Sequence, residues 1–148
     1  MELSRRSGAK AGFDQTLQQP FDALSFSLIP GLNYWMDGRP GKRTLFLTDE
    51  EEKVTVNFEE GMRCLDLLDT QREHRCEFRQ GSRYLHQAGT GVSRSKTRNC
   101  MFFHMEIADS KGNIHCLPGQ MIVSGEYPWA DGVEPILIEI LNSITICN

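Results

Sequence analysis

The sequence of 148 residues contains no apolar run approaching the roughly twenty residues that a helix needs to cross a bilayer, so no membrane span is expected. It has no Cys-x-x-Cys pair, which leaves out zinc ribbons and thioredoxin-type dithiols. Five cysteines, at 64, 76, 100, 116 and 147, form an odd and irregularly spaced set, too sparse for a disulfide scaffold. They are expected to be reduced and to serve as small apolar residues in a cytoplasmic protein. No Gly-x-Ser-x-Gly, His-Glu-x-x-His, Walker-type or Rossmann-type pattern occurs. Gly-Thr-Gly-Val-Ser at 89–93 lacks both the spacing and the lysine of a phosphate loop. The pair Arg5-Arg6 is followed by no apolar segment, so a secretory signal is not expected either. No motif calls for an enzyme, and no cofactor is expected.

What is present has the balance of an ordinary globular domain, with 39% hydrophobic and 24% charged residues, in a length that suits one core. Residues 1–22 show no periodicity and are expected to form a flexible or loosely docked arm, with residues 23–148 as the domain. In that domain Leu24, Phe26 and Leu28 alternate with serines, the period of a half-buried strand that Pro30-Gly31 ends. Residues 33–43 carry two turn signals, Asp37-Gly38 and Pro40-Gly41, and lead into the strand TLFLT at 44–48. A hairpin to KVTVNF follows, through the acidic turn 49–52. Residues 61–75 read as a short helix or an irregular connection. A further hairpin is expected about Gln80-Gly81-Ser82. Near the end, Pro135 suits the first turn of a helix that buries Ile136, Leu137, Ile140 and Leu141, followed by a short strand ITIC. The fold class is therefore α+β: a single antiparallel sheet of about five to seven strands, mostly meander, with one or two covering helices including a C-terminal one.

The segment 100–121, CMFFHMEIADSKGNIHCLPGQM, raises the question of a metal site, because it holds two cysteines, two histidines and a glutamate. Alternation sends Met101, Phe103, Met105 and Ile107 inward and Cys100, Phe102, His104 and Glu106 to the other face. A turn centred on Ser110-Lys111, with Gly112 in the left-handed position, would set His115 opposite Glu106 and Cys116 opposite Met105. That register makes a surface Glu–His contact, since a flat strand face spreads ligands further apart than zinc accepts. No metal is expected. Pro118-Gly119 suggests a bulge or an edge position.

Charge is distributed unevenly. Residues 70–99 hold seven basic side chains against two acids, whereas residues 44–69 hold two against eight. If the strand extends back from Cys100, Arg94, Lys96 and Arg98 share a face with Phe102 and His104. Such a basic stripe suits an acidic protein partner or a small anion. Nucleic acid is not indicated, because the chain is acidic overall (pI about 5.6) and no aromatics interleave with the arginines.

The order of elements resembles the PsbP-like sandwich superfamily. LSFSLIPGL opens, TLFLTDEEEKVTVNF follows, FFHMEIADSKGNIHCLPGQMIV pairs with itself, and EPILIEILNSITI closes with a helix and a strand. The resemblance spans about residues 24–146. It implies an antiparallel sheet covered by helices, and accessory or binding roles without catalysis. Two functions follow. One is a binding or adaptor domain that presents Arg94, Lys96, Arg98, Phe102 and His104. The other is a small-molecule-binding protein or enzyme with a pocket between sheet and helix, near Tyr34, Trp35, Tyr127 and Trp129.

Overall fold

The computed structural model describes residues 2–4, 10–12, 24–60, 76–92, 98–124, 127 and 130–146. The chain forms strands β1 (Glu2–Ser4), β2 (Lys10–Gly12), β3 (Leu24–Ser27), β4 (Leu32–Asp37), β5 (Thr44–Asp49) and β6 (Val54–Glu59). It continues through β7 (Cys76–Gln80), β8 (Arg83–Val92), β9 (Arg98–Ala108) and β10 (Ile114–Ser124) to helix α1 (Pro135–Ser143) and strand β11 (Ile144–Ile146). The class is α+β, mostly antiparallel sheet with one helix near the C-terminus among the described residues.

Two meanders, β4-β5-β6 and β10-β9-β8-β7, join side by side where β6 pairs with β10. With β1 on the edge of β4 they make an eight-stranded sheet. A second sheet, ordered β11-β3-β2, departs from the single sheet expected. The reason lies in LSFS. Leu24, Ser25 and Phe26 are all buried, so this strand has no solvent face and takes its partners from β11 and β2 instead of the long meander. The sequence reading also missed β4. Its turn residues flank the strand, and Leu32, Tyr34 and Met36 point inward between them with strict alternation.

Residues at odd positions of β9 define the inner face. Met101, Phe103, Met105 and Ile107 are buried there with Leu85, Leu117, Met121 and Val123. The rings of Phe26, Phe58 and Phe103 continue this core in tilted and edge contacts at 5.6 and 5.5 Å. Helix α1 packs Leu137, Ile140 and Leu141 into the same core, leaving Ile136 only half buried. Nine residues would not hold a helix alone, so its stability comes from this packing. Arg83 Nη1 donates to the Leu141 carbonyl at 2.6 Å, placing a cation at the negative end of the helix. No helix among the described residues is long and apolar enough to cross a membrane.

The β9–β10 register corrects the sequence expectation by one residue. His115 lies opposite Ile107 and Cys116 opposite Glu106. Turn chemistry decides it. The Gly112 N–H bonds the Asp109 carbonyl, Asn113 and Asp109 close the ladder, and Gly112 takes φ +84°. Three residues therefore separate the paired positions, leaving Ile114 63% exposed beside Ala108. Pro118-Gly119 is not a bulge but sits inside the β10 ladder. Pairing with β6 begins only at Gly119, so Pro118 is flanked on one side. The slip expected of a bulge occurs in β8, between Ala88 and Gly91.

Candidate functional site

The outer face of the large sheet carries the even positions of β9 and everything in register with them. Across the sheet these are Trp35, Phe46, Asn57, Gln120 and Phe102 in one row, and Asn33, Thr48, Thr55, Ile122 and Cys100 in the next. Between these rows and the β5–β6 turn lies a groove of about 480 Å³. Thr48, Thr55 and Ile122 form its floor. Trp35, Phe46 and Asn57 stand along one side, and Glu52, Lys53 and Ser124 along the other. Trp35 and Phe46 are a cross-strand pair whose rings stack at 5.0 Å and 10°.

The polar atoms of this groove distinguish it from an ordinary sheet face. Thr48 is 4% exposed and Asn57 6% exposed. Among the described residues, neither Thr48 Oγ1 nor Asn57 Oδ1 has a hydrogen-bond partner, and Asn33 Oδ1, directly across from Thr48, has none either. A buried acceptor left unmet costs about 1–3 kcal/mol, so three on adjoining strands are a substantial concession by the fold. At the rim, Glu52 is the one non-glycine with positive φ among the described residues, at 58°. Lys53 pairs with Glu51 at 2.8 Å in full solvent, which raises the ammonium and lowers the carboxyl chiefly through the hydrogen bond between them.

Further along the same face, Glu77, Arg79, Tyr84, His86, His104 and Glu106 share one surface through direct pairing. His104 is 2% exposed, with Nε2 2.9 Å from Glu106 Oε2, an oxygen that only accepts, so Nε2 bears the proton. His86 meets it edge-on at 5.5 Å, and the Arg79 guanidinium lies 4.6 Å above the Tyr84 ring. Burial, then the hydrogen bond and charge of Glu77, push the Tyr84 hydroxyl up to about 12. His115 does not join this group. It lies on the inner-face side and contacts Asp109 at 3.2 Å, so the expected Glu106–His115 pair does not form.

The sequence-predicted residues are thus dispersed. Arg94 and Lys96 lie outside the described residues. Residue 98 is opposite Ser124 in the ladder, Phe102 is half buried opposite Gln120, and His104 is in the ring cluster. Of the aromatic set, Trp129 lies outside the described residues. Tyr34 is fully buried in the core, accepting from Ile29 N and donating to the Ser27 carbonyl, while Trp35 faces the groove. Tyr127 donates to Glu134 Oε2 at 3.3 Å, and burial followed by that carboxylate pushes it up to about 12. Glu134, itself buried, also receives the Ala130 N–H, and its own N–H bonds Gln87 on β8. Beside Tyr127, therefore, the junction of sheet and helix is occupied by a protein network.

Reasoning from sequence missed the groove because Trp35, Thr48 and Asn57 lie on three strands whose register it had not assembled. It also expected reduced cysteines. Cys116 is disulfide-bonded, while Cys76 and Cys100 are free, with burial raising both thiols. Comparison with family models, with curated proteins and with solved structures finds no match to this chain.

Proposed function

We propose that this protein is a non-catalytic binding domain that takes a small ligand in the groove on the outer face of its large sheet. The observation that carries this reading is the groove of about 480 Å³, lined by the stacked Trp35 and Phe46 rings together with Thr55, Asn57, Ile122 and Ser124. Aromatic surface beside polar side chains is the lining a small ligand requires, and the volume lies in the range of small-molecule sites. A binding role also agrees with what the PsbP-like resemblance implies.

The test separates binding from folding. Thr48→Val and Asn57→Leu remove a buried polar group at nearly constant volume. Each is expected to hold or raise stability, by up to about 1 kcal/mol, while abolishing the shifts that a fragment library produces at groove amides. Loss of stability in both variants, with no fragment perturbing Thr48, Thr55 or Ile122, would overturn the reading.

A second reading is favoured by one register fact. Residue 98 pairs with Ser124, which lines the groove, and the sequence reading joins it to Arg94 and Lys96 as one basic stripe. It would serve an acidic protein partner or a small anion. Charge reversal of all three is expected to weaken partner capture at low salt, and unchanged capture would exclude it.

A further inference from the structure

We infer that strand β7 is a docking edge for a second copy of this chain, through two-fold antiparallel pairing of β7 with itself. The surface is independent of the groove. Among the described residues β7 ends the large sheet, with β8 as its one neighbour. The direction of its backbone groups follows from the ladder. The Ala108 N–H bonds the Ser82 carbonyl, so residue 82 turns its backbone groups toward β9 and Arg83, the next residue, turns its own toward β7. Arg83 pairs with Gln80, and alternation then points Gln80, Phe78 and Cys76 at β8. The N–H and C=O groups of Glu77 and Arg79 face away from the sheet, and both residues are exposed.

Open edge strands are ordinarily blunted by proline, lysine or a bulge, and β7 has none of these. Its sequence, CEFRQ, is self-complementary. In a two-fold pair centred on Phe78, Glu77 lies opposite Arg79 of the second copy, and Arg79 opposite its Glu77. Those are the residues with outward backbone groups, so each opposed pair exchanges two hydrogen bonds as well as opposite charges. The two Phe78 rings, each half-buried against its own core, meet across the axis at the closer, non-hydrogen-bonded position. Moving the register by two residues keeps the hydrogen-bond parity but sets Glu77 against Glu77 or Arg79 against Arg79. Like charges directly opposed are unfavourable, so one register is selected. A foreign strand would call for no such symmetry, whereas a second copy requires it.

A short edge contact makes a weak dimer, with an expected Kd of about 10–100 μM. Sedimentation velocity of the whole chain at concentrations spanning that range reads it. Glu77→Arg and Arg79→Glu each oppose like charges and should weaken self-association at least tenfold, with circular dichroism unchanged. Mixed in equal amounts, the two variants regain opposite charges at both positions and should associate at least as tightly as wild type. In the wild-type chain, amide exchange at Glu77 and Arg79 should slow as concentration rises, while Phe78, bonded to β8, stays slow throughout. A wild-type chain that remains monomeric to about 1 mM would overturn the proposal. Single variants that dimerise like wild type, a mixture that does not associate, or a dimer whose Glu77 and Arg79 amides exchange at a concentration-independent rate would each overturn it too.

Discussion

The turns at 49–53 and 109–113 begin alike and differ in one residue that matters. In each, an aspartate carbonyl accepts the N–H three residues on, and its carboxylate accepts the N–H four residues on. Each then needs a left-handed backbone at the fourth position. The 109–113 turn supplies Gly112 at φ +84°, where no Cβ is strained. The 49–53 turn places Glu52 at φ +58°. Residues 110–113 of the second turn are exposed and line no part of the groove. The 49–53 turn borders it through Glu52 and Lys53. Where only geometry is at stake the sequence follows the cheapest backbone, and where a side chain faces a site it does not.

The largest test of how these hairpins are held lies at the far end of the β5–β6 pair. Buried Arg43 and Glu60 form a bidentate ion pair, and Glu60 Oε1 also receives the N–H groups of Gly41 and Arg43. Glu60→Gln removes the carboxylate that grips this buried guanidinium and is expected to cost about 3–5 kcal/mol in chemical denaturation. A loss below about 1 kcal/mol would mean that the turns, not this anchor, hold the hairpin.

Gly119 comes next, because there the two hairpins meet. It pairs with Phe58 on one side and Phe103 on the other. A Cβ would overlap the Asn57 carbonyl and lie 2.7 Å from Phe103 Cζ. Gly119→Ala is expected to cost about 3 kcal/mol and to disturb the Asn57 wall of the groove. Native-like stability would show that the β6–β10 seam is looser than the ladder indicates.

The reciprocal exchange at the turns follows. Gly112→Glu is expected to lose about 1–2 kcal/mol and Glu52→Gly to gain about 1 kcal/mol, both read from denaturant midpoints at unchanged m. The second variant should also weaken ligand capture in the groove. A Glu52→Gly protein no more stable than wild type would remove the argument that this residue is kept against its backbone preference.

Much of this architecture is legible in the sequence. Alternation in 101–107, the Asp-x-x-Gly turn, the strands about 44–48 and 54–58, and Pro135 opening a helix all follow from local periodicity and turn chemistry, and the structure agrees. Register was less accessible. One extra loop residue at 110–112 moved His115 to the opposite face from Glu106 and brought Cys116 to it, which dissolved the candidate histidine–glutamate pair. The groove was illegible for a related reason. Trp35, Thr48 and Asn57 are 9 to 22 positions apart in sequence and become neighbours only when β4, β5 and β6 are aligned. No local pattern marks a threonine as unpartnered.

The smallest expected effect is on acid stability, and it bears on the turns again. Burial alone would raise the Asp109 carboxyl, but N–H groups of Asn113 and Lys111 and the His115 ring outweigh it and hold it below the ordinary 3.8. Burial would likewise raise Glu60, and Arg43 holds it below the ordinary 4.5. Both groups are thus more acidic folded than unfolded. Their stabilisation is fully present above those ordinary values and is lost as pH falls through the lower folded ones, because the unfolded chain then binds more protons. Between pH 5 and 2, denaturation midpoints should fall, and Asp109→Asn and Glu60→Gln should each flatten the fall. Amide exchange separates the two contributions. In Asp109→Asn the acid-dependent loss of protection should disappear at Lys111 and Asn113 and persist at Gly41 and Arg43. Equal changes at both places would mean that the two hairpins open as one unit, and the contrast between their turns would then carry no energetic weight.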